Sequence, residues 1–150
     1  MKLLLILAFM AGVPLAIKAQ KANKMDTQKA DIAAISDVLE NYYFKGINEG
    51  DTALLKQIYH PGTLLFGDVK GQPYAKTLEQ YLDGVANRQS PKDSGKPLKG
   101  EIVSVRAVNS IGVAEVKVKM YDFNYHEFLS FHKIDGKWLL VNKMLTDVQQ

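Results

Sequence analysis

Apolar positions recur at two different periods along this 150-residue chain, and the period changes near Gly100. Upstream, Ile32, Ile35, Leu39, Tyr42 and Tyr43 follow at three- and four-residue steps, which predicts an amphipathic helix ending near Gly46 or Gly50. Asp51 is placed to cap a second, shorter helix with Leu54, Leu55 and Ile58 on one face, and His60-Pro61-Gly62 ends it. Thr63 to Phe66 reads as a short strand, followed by a loop through Gly67-Asp68 and Gly71-Gln72-Pro73. Thr77 and Gln80 form a capping box for a third helix, whose Leu78, Tyr81, Leu82 and Val85 share one face. Two polar, aperiodic stretches predict mobile segments: Gln20 to Asp26 as a flexible lead and Gln89 to Gly100 as a loop.

Past Gly100 the pattern alternates. Ile102–Val108, Val113–Tyr121, Tyr125–Ile134 and Lys137–Leu145 read as four antiparallel strands. Asp135-Gly136 is a two-residue hairpin turn, because both central positions of a type I′ turn need positive φ. Helices followed by a strand meander predict an α+β layer fold rather than a parallel α/β one.

That turn sets a register in which Ile134 opposes Lys137, His132 opposes Leu139, Ser130 opposes Val141 and Phe128 opposes Lys143. The face so defined mixes apolar and polar groups. The other carries Leu129, Phe131, Trp138, Leu140 and Met144, with Glu127, Lys133 and Asn142 among them. Three helices cover one side of a sheet, so the expectation is a cavity against the mixed face and a second copy of the chain, forming a homodimer, against the more apolar one.

The N-terminus changes the setting. Lys2, an apolar run from Leu3 to Ala11, the Gly12 and Pro14 break and a tail closing on Ala19-Gln20 have the order of a secretory signal peptide, too short and interrupted for a membrane span. The predicted organisation is a signal peptide over 1–19 and one domain over 20–150, exported to the periplasm or the extracellular space without a stable membrane anchor. Cleavage removes Lys2 and Lys18, which lowers the formal charge of +3 by two. The remaining lysines are scattered among carboxylates, so no nucleic-acid footprint is present. No cysteine exists, which excludes disulfides and thiolate catalysis.

Two stretches carry a family resemblance. Tyr43-Phe44-Lys45-Gly46-Ile47-Asn48-Glu49-Gly50-Asp51 with Tyr59-His60-Pro61 resembles the opening of nuclear transport factor 2-like proteins. Phe131 to Lys143 resembles the last hairpin of their putative lumazine-binding group. The resemblance implies a cone-shaped roll, three N-terminal helices on a curved antiparallel sheet around a central pocket, a fold that houses isomerases, dehydratases, cyclases and non-catalytic binders alike.

Within that resemblance, Tyr43 matches the tyrosine donor of ketosteroid isomerase. Gly67 falls at the position of its base, with Asp68 one residue on, and Phe128 falls at its second acid, with Glu127 beside it facing the other way. Two of three functional groups are therefore missing in register. A dehydratase-like chemistry would draw on His132 or His126 as base, and neither has a carboxylate to orient it by spacing. The three histidines lack metal-ligand spacing, and no dinucleotide, triphosphate or serine-hydrolase motif occurs.

The expected cavity walls are the aromatic residues Tyr43, Tyr59, Phe66, Tyr81 and Phe128, with Asp68, His132 and Lys143 available to orient a ligand. These residues suit a small hydrophobic or aromatic molecule and specify no cofactor. Three classes of function stay open: a non-catalytic binder of small molecules, an isomerase or dehydratase-like enzyme using Tyr43 with Asp68 or His132, and a dimerising interaction module.

Overall fold

The computed structural model describes residues 13–148. Helix α1 (Val13–Val38) runs through a π-helical segment (Leu39–Phe44) into α2 (Lys45–Glu49), giving one continuous rod; α3 (Thr52–Lys56) and α4 (Leu78–Ala86) complete the helical layer. Six strands follow the order β2-β1-β6-β5-β4-β3, with β1 Tyr59–Val69, β2 Gln72–Thr77, β3 Lys99–Val108, β4 Ile111–Met120, β5 Phe123–Ile134 and β6 Lys137–Asp147. Residues 1–12, which hold Lys2 and most of the predicted export signal, lie outside the described residues. The expected flexible lead from Gln20 to Asp26 is instead part of α1. Helix propagation needs good formers and no breaker, and Ala22, Lys24 and Met25 supply the first without any amphipathic pattern to announce it.

Most of the helix punctuation works as the sequence predicts, but α3 already ends at Lys56, and His60-Pro61-Gly62, expected to stop it, lies inside β1. Gly50 closes α2 in the left-handed region at φ 69°, and the Asp51 carboxylate accepts a hydrogen bond from the Leu54 amide at 2.8 Å. Thr77 and Gln80 make both bonds of the capping box. The 89–98 loop is not loose: the Asn48 carbonyl accepts from the Lys92 amide at 3.0 Å, and the Asn48 side-chain oxygen accepts from the Leu98 amide at 2.9 Å. A single residue at the end of α2 thus ties the loop down, which composition alone does not reveal.

The sheet is mixed, open and curved. Strand β1 pairs antiparallel with β2 but parallel with β6, so the fully antiparallel sheet of the sequence reading acquires one parallel junction. Strand β2 falls in the segment expected as loop. It is an edge strand, where Pro73 costs no ladder bond. Gly67 makes the parallel junction possible: a Cβ there would sit 1.7 Å from the Leu145 carbonyl oxygen.

The helical layer covers the more apolar sheet face. Ile35, Leu39, Tyr43 and Ile47 of the rod pack with Ala114, Val116, Leu129, Phe131, Trp138 and Leu140 in the core. Asp31 anchors the rod, accepting from Lys133 Nζ at 2.8 Å and Trp138 Nε1 at 3.3 Å. The two sheet faces are therefore exchanged relative to expectation. Phe131 and Trp138 lie under the helices and the mixed face looks outward. The reason is elementary: the helices bury whichever face removes more apolar surface from water.

Candidate functional site

A one-residue irregularity builds the site. From the Asp135-Gly136 turn the β5–β6 register runs as expected to Phe131↔Leu140, then shifts, and continues as Ser130↔Asn142, Leu129↔Lys143 and Phe128↔Met144. Val141 is the extra residue of a β-bulge. Because side chains alternate, one added residue reverses every side chain beyond it. Lys143, expected on the mixed face, shares the inner face with Leu129 and Leu140 at 4 % exposure, and Met144, expected on the same face as Phe131 and Trp138, stands on the opposite one at 51 %.

The helical rod contributes a matching irregularity. Tyr43 sits in the π-helical turn, where the added residue rotates the following side chains. Its ring is fully buried and its hydroxyl meets two partners. It donates to Glu127 Oε2 at 2.5 Å and accepts from Lys143 Nζ at 2.6 Å. Lys143 Nζ also lies 2.7 Å from Glu127 Oε1, which closes a ring of phenol, carboxylate and ammonium. The ammonium further lies 5.2 Å from the Tyr43 ring centre and 5.5 Å from that of Tyr81. Burial first, and the Glu127 charge second, hold the Tyr43 hydroxyl well above its ordinary pKa, so it remains a proton donor.

Glu127 and Lys143 of this ring, with Tyr43 behind them, open on a cavity of about 160 Å³ also lined by Ile47, Val118, Met120 and Leu145 and by the polar groups of Tyr74, Lys76, Tyr81, Arg88 and Tyr125. Larger hollows exist on the surface. One of about 430 Å³ lies between Lys99, Lys117, Lys119 and His126, and another of about 660 Å³ between Lys56, Tyr59 and Leu82. Neither is lined by the Tyr43–Glu127–Lys143 ring, so the smaller cavity is where chemistry and enclosure coincide.

Of the residues expected to form the site, Tyr81 and Lys143 line this cavity, and Tyr43 lies behind its wall, bonded to Lys143 and Glu127. Tyr59 packs behind it, 6.4 Å from the Tyr43 ring and 5.9 Å from that of Tyr81, and its buried hydroxyl has no hydrogen-bond partner. Phe66 and Phe128, both 45 % exposed, and the exposed His132 stand on the outer sheet face instead. Asp68 accepts from Thr146 Oγ1 at 3.0 Å at the exposed rim of the β1–β6 junction. The register shift of β1 lies upstream, between Tyr59 and Leu64; from Leu64 the strand runs regularly, and Asp68 pairs with Thr146. His126 does meet a carboxylate, Glu115 Oε1 at 2.8 Å, but on the outer face. Sequence reasoning passed over Tyr74, Lys76, Arg88 and Tyr125, which come from a strand read as loop, a helix end and a strand start. It saw Glu127 and left it unpartnered. The available signal was a lone carboxylate alternating with Leu129 and Phe131, since a charge on an inward strand position requires a cation.

Solved structures with this architecture include nuclear transport factor 2-like proteins of unknown function from three bacteria. They are those of Shewanella baltica OS155 (TM-score 0.70, 21 % identity, covering 81 % of this chain and 96 % of that one), Silicibacter pomeroyi DSS-3 (0.72, 19 %, 80 % and 98 %) and Methylobacillus flagellatus KT (0.71, 22 %, 80 % and 94 %). In sequence, the chain is 26 % identical over 102 residues to "Aldolase FrzH" of Cladobotryum sp., a match spanning 68 % of this chain and 80 % of that protein. The family described as "Putative lumazine-binding" matches residues 30–146, a span that takes in the rod from its anchor onward and the whole sheet. With fold and sequence in agreement, the chain belongs to the putative lumazine-binding family and has the fold of the nuclear transport factor 2-like proteins.

Proposed function

We propose that the domain binds a small molecule in the cavity between α4, β2 and the sheet, with Tyr74, Tyr81 and Tyr125 as flat walls and the Glu127–Lys143 pair, backed by Tyr43, as its polar floor. The observation that carries this reading is the buried ion pair opening on a cavity. Two charges removed from water weaken a purely structural core unless they are fully matched, and a ligand would draw on their donors and acceptors. At about 160 Å³ the cavity suits a compact occupant, below the roughly 300–1,000 Å³ of ordinary drug-sized sites. Native mass spectrometry of protein isolated from its own cell, followed by a thermal-shift screen that includes flavins and pteridines, tests the reading. A retained mass or a saturable shift that Tyr81→Ala abolishes supports it, since a ligand that binds only the native state raises Tm. A blank spectrum and a blank screen sink it.

A second reading is favoured by the same ring and by the likeness to an aldolase. Glu127 is a carboxylate that can take a proton from the carbon beside a carbonyl, and Lys143 is the donor that can hold the enolate oxygen, with the Tyr43 hydroxyl behind them bonded to both. In this reading Glu127 is the base, Lys143 the electrophilic stabiliser and Tyr43 the group that positions the two. Its test needs no known substrate. Exchange of α-protons of simple aldehydes and ketones into deuterated water, followed by NMR, is expected to be accelerated by the protein and lost in Glu127→Gln; an unaccelerated exchange throughout removes it.

The wider setting is part of the same proposal. Leu64, Phe66, Val113, Phe128 and Met144 stand more than 40 % exposed on the outer sheet face, a surface that a second copy of the chain would cover in a homodimer. The Lys2–Ala19 segment supports export, with N-terminal sequencing of secreted protein as its check.

A further inference from the structure

The charges around the cavity do not balance. Lys143 and Glu127 answer one another, which leaves two cations, Lys76 on β2 and Arg88 just beyond α4, and no second carboxylate on the lining. Among the described residues neither cation makes a salt bridge. Lys76 Nζ lies 5.3 Å from the Tyr74 ring centre. Arg88 has one Nη in weak contact with Met120 Sδ at 3.7 Å, and its Nε is buried with no hydrogen-bond partner. The guanidinium is close enough to Tyr74, Tyr81 and Tyr125 to act on the acidity of all three hydroxyls, so its field falls on the cavity. A buried donor of a permanently charged group, left unpaired, costs free energy that an incoming acceptor recovers.

We propose that the cavity selects a small carboxylate, with Arg88 fixing the carboxylate group and Lys76 drawing it in across the mouth. This rests on the small-molecule reading above and names the class of ligand. The planar guanidinium matches a carboxylate through two parallel N–H bonds, and an amide of the same shape offers one acceptor and a donor that Arg88 repels. The rest of such a ligand, a short or flat apolar body, meets Tyr81, Val118 and Met120, and its far end reaches the pair of Glu127 and Lys143.

The test compares acids with their isosteric amides on the purified protein: acetate, butyrate and benzoate against acetamide, butyramide and benzamide, with inorganic phosphate alongside. Calorimetry or thermal shift on wild type, Arg88→Gln and Lys76→Gln reads the affinities. The expected result is saturable binding of at least one acid, stronger than its amide, weakened about tenfold or more in Arg88→Gln and less in Lys76→Gln. Amides binding as well as acids, with Arg88→Gln indifferent, would overturn the carboxylate assignment and leave the cavity reading intact. Phosphate giving the same Arg88-dependent response would replace carboxylate by phosphate as the class selected. Absence of any acid response overturns the inference too, and only a blank in the broader flavin and pteridine screen extends that failure to the cavity. Should Arg88→Gln fail to fold, the acid-against-amide comparison on wild type still decides.

Discussion

Lys143 and Glu127 form an ion pair at 2.7 Å although the two-residue turn, counted without interruption, sends them to opposite faces of the sheet. The bulge at Val141 brings them together, and the pair is buried beneath Tyr43. Removing one partner leaves the other charge alone in the core. Glu127→Leu is expected to destabilise the fold by about 3–5 kcal/mol, and Lys143→Met by a similar amount, whereas the two combined should recover most of the loss. Urea unfolding of the two single variants and the double variant checks this. Additive losses would mean that the charges do not depend on one another.

Tyr59 offers the opposite case. Its hydroxyl is buried without a partner, so Tyr59→Phe is expected to leave the fold intact and raise its stability by about 1 kcal/mol, the desolvation cost relieved. Denaturant midpoints measure it directly.

The tyrosines also set the alkaline limit. Tyr43, Tyr59 and Tyr81 all have hydroxyls raised above their ordinary pKa, burial being the largest cause in each. A raised native pKa means that, above about pH 10, the unfolded chain gives up these protons and the native one does not. The native state then holds more protons, so stability falls as pH rises. The contribution is fully present below about pH 10 and is lost progressively above it. Stability measured from pH 8 to pH 12 should show this decline, and Tyr59→Phe should make it shallower; a flat profile would contradict the burial of these groups.

Gly67→Ala is expected to cost about 3 kcal/mol or more. The new Cβ would fall on the Leu145 carbonyl, at φ 150° and against backbone that cannot step aside without opening the β1–β6 junction. A comparable substitution at Gly71, where an added Cβ meets nothing within 4 Å, pays only for its positive φ and should cost about 1 kcal/mol. Thermal unfolding of both variants separates packing from conformation.

On the outer face, Phe66→Asp with Met144→Asp should shift a dimer to monomer without loss of helical signal, because both residues already stand in contact with water in a single chain. Light scattering reads the mass. An unchanged mass would place any self-association elsewhere.

Much of the fold was legible because the physics that sets it is local. The helix face from Ile35 to Tyr43, the Thr77–Gln80 cap and the Asp135-Gly136 turn each depend on residues a few positions apart. What was not legible depends on insertions within regular elements. Val141 carries no mark of being a bulge, and nothing in Leu39–Phe44 announces a π turn, yet these two positions decide which groups face Glu127. The parallel junction escaped for a related reason, as it is fixed by a close approach between Gly67 and a carbonyl remote in sequence. Lys143 and Met144 were assigned to the wrong faces because a strand pair can be counted out only as far as its first irregularity, whereas the exchange of the two faces as wholes follows from which of them the helices bury.

The single surplus residue in β6 also makes the interior sensitive to register rather than to composition. Pair Val141 into the ladder instead of leaving it out, and the alternation would offer Met144 to Glu127 in place of Lys143, a thioether where an ammonium stood, with no side chain replaced by another. A chain of the same length whose β6 ran without the bulge would therefore line its cavity with different chemistry while keeping a nearly identical string of letters, so that the placing of one irregularity carries more information about ligand preference than the substitutions around it.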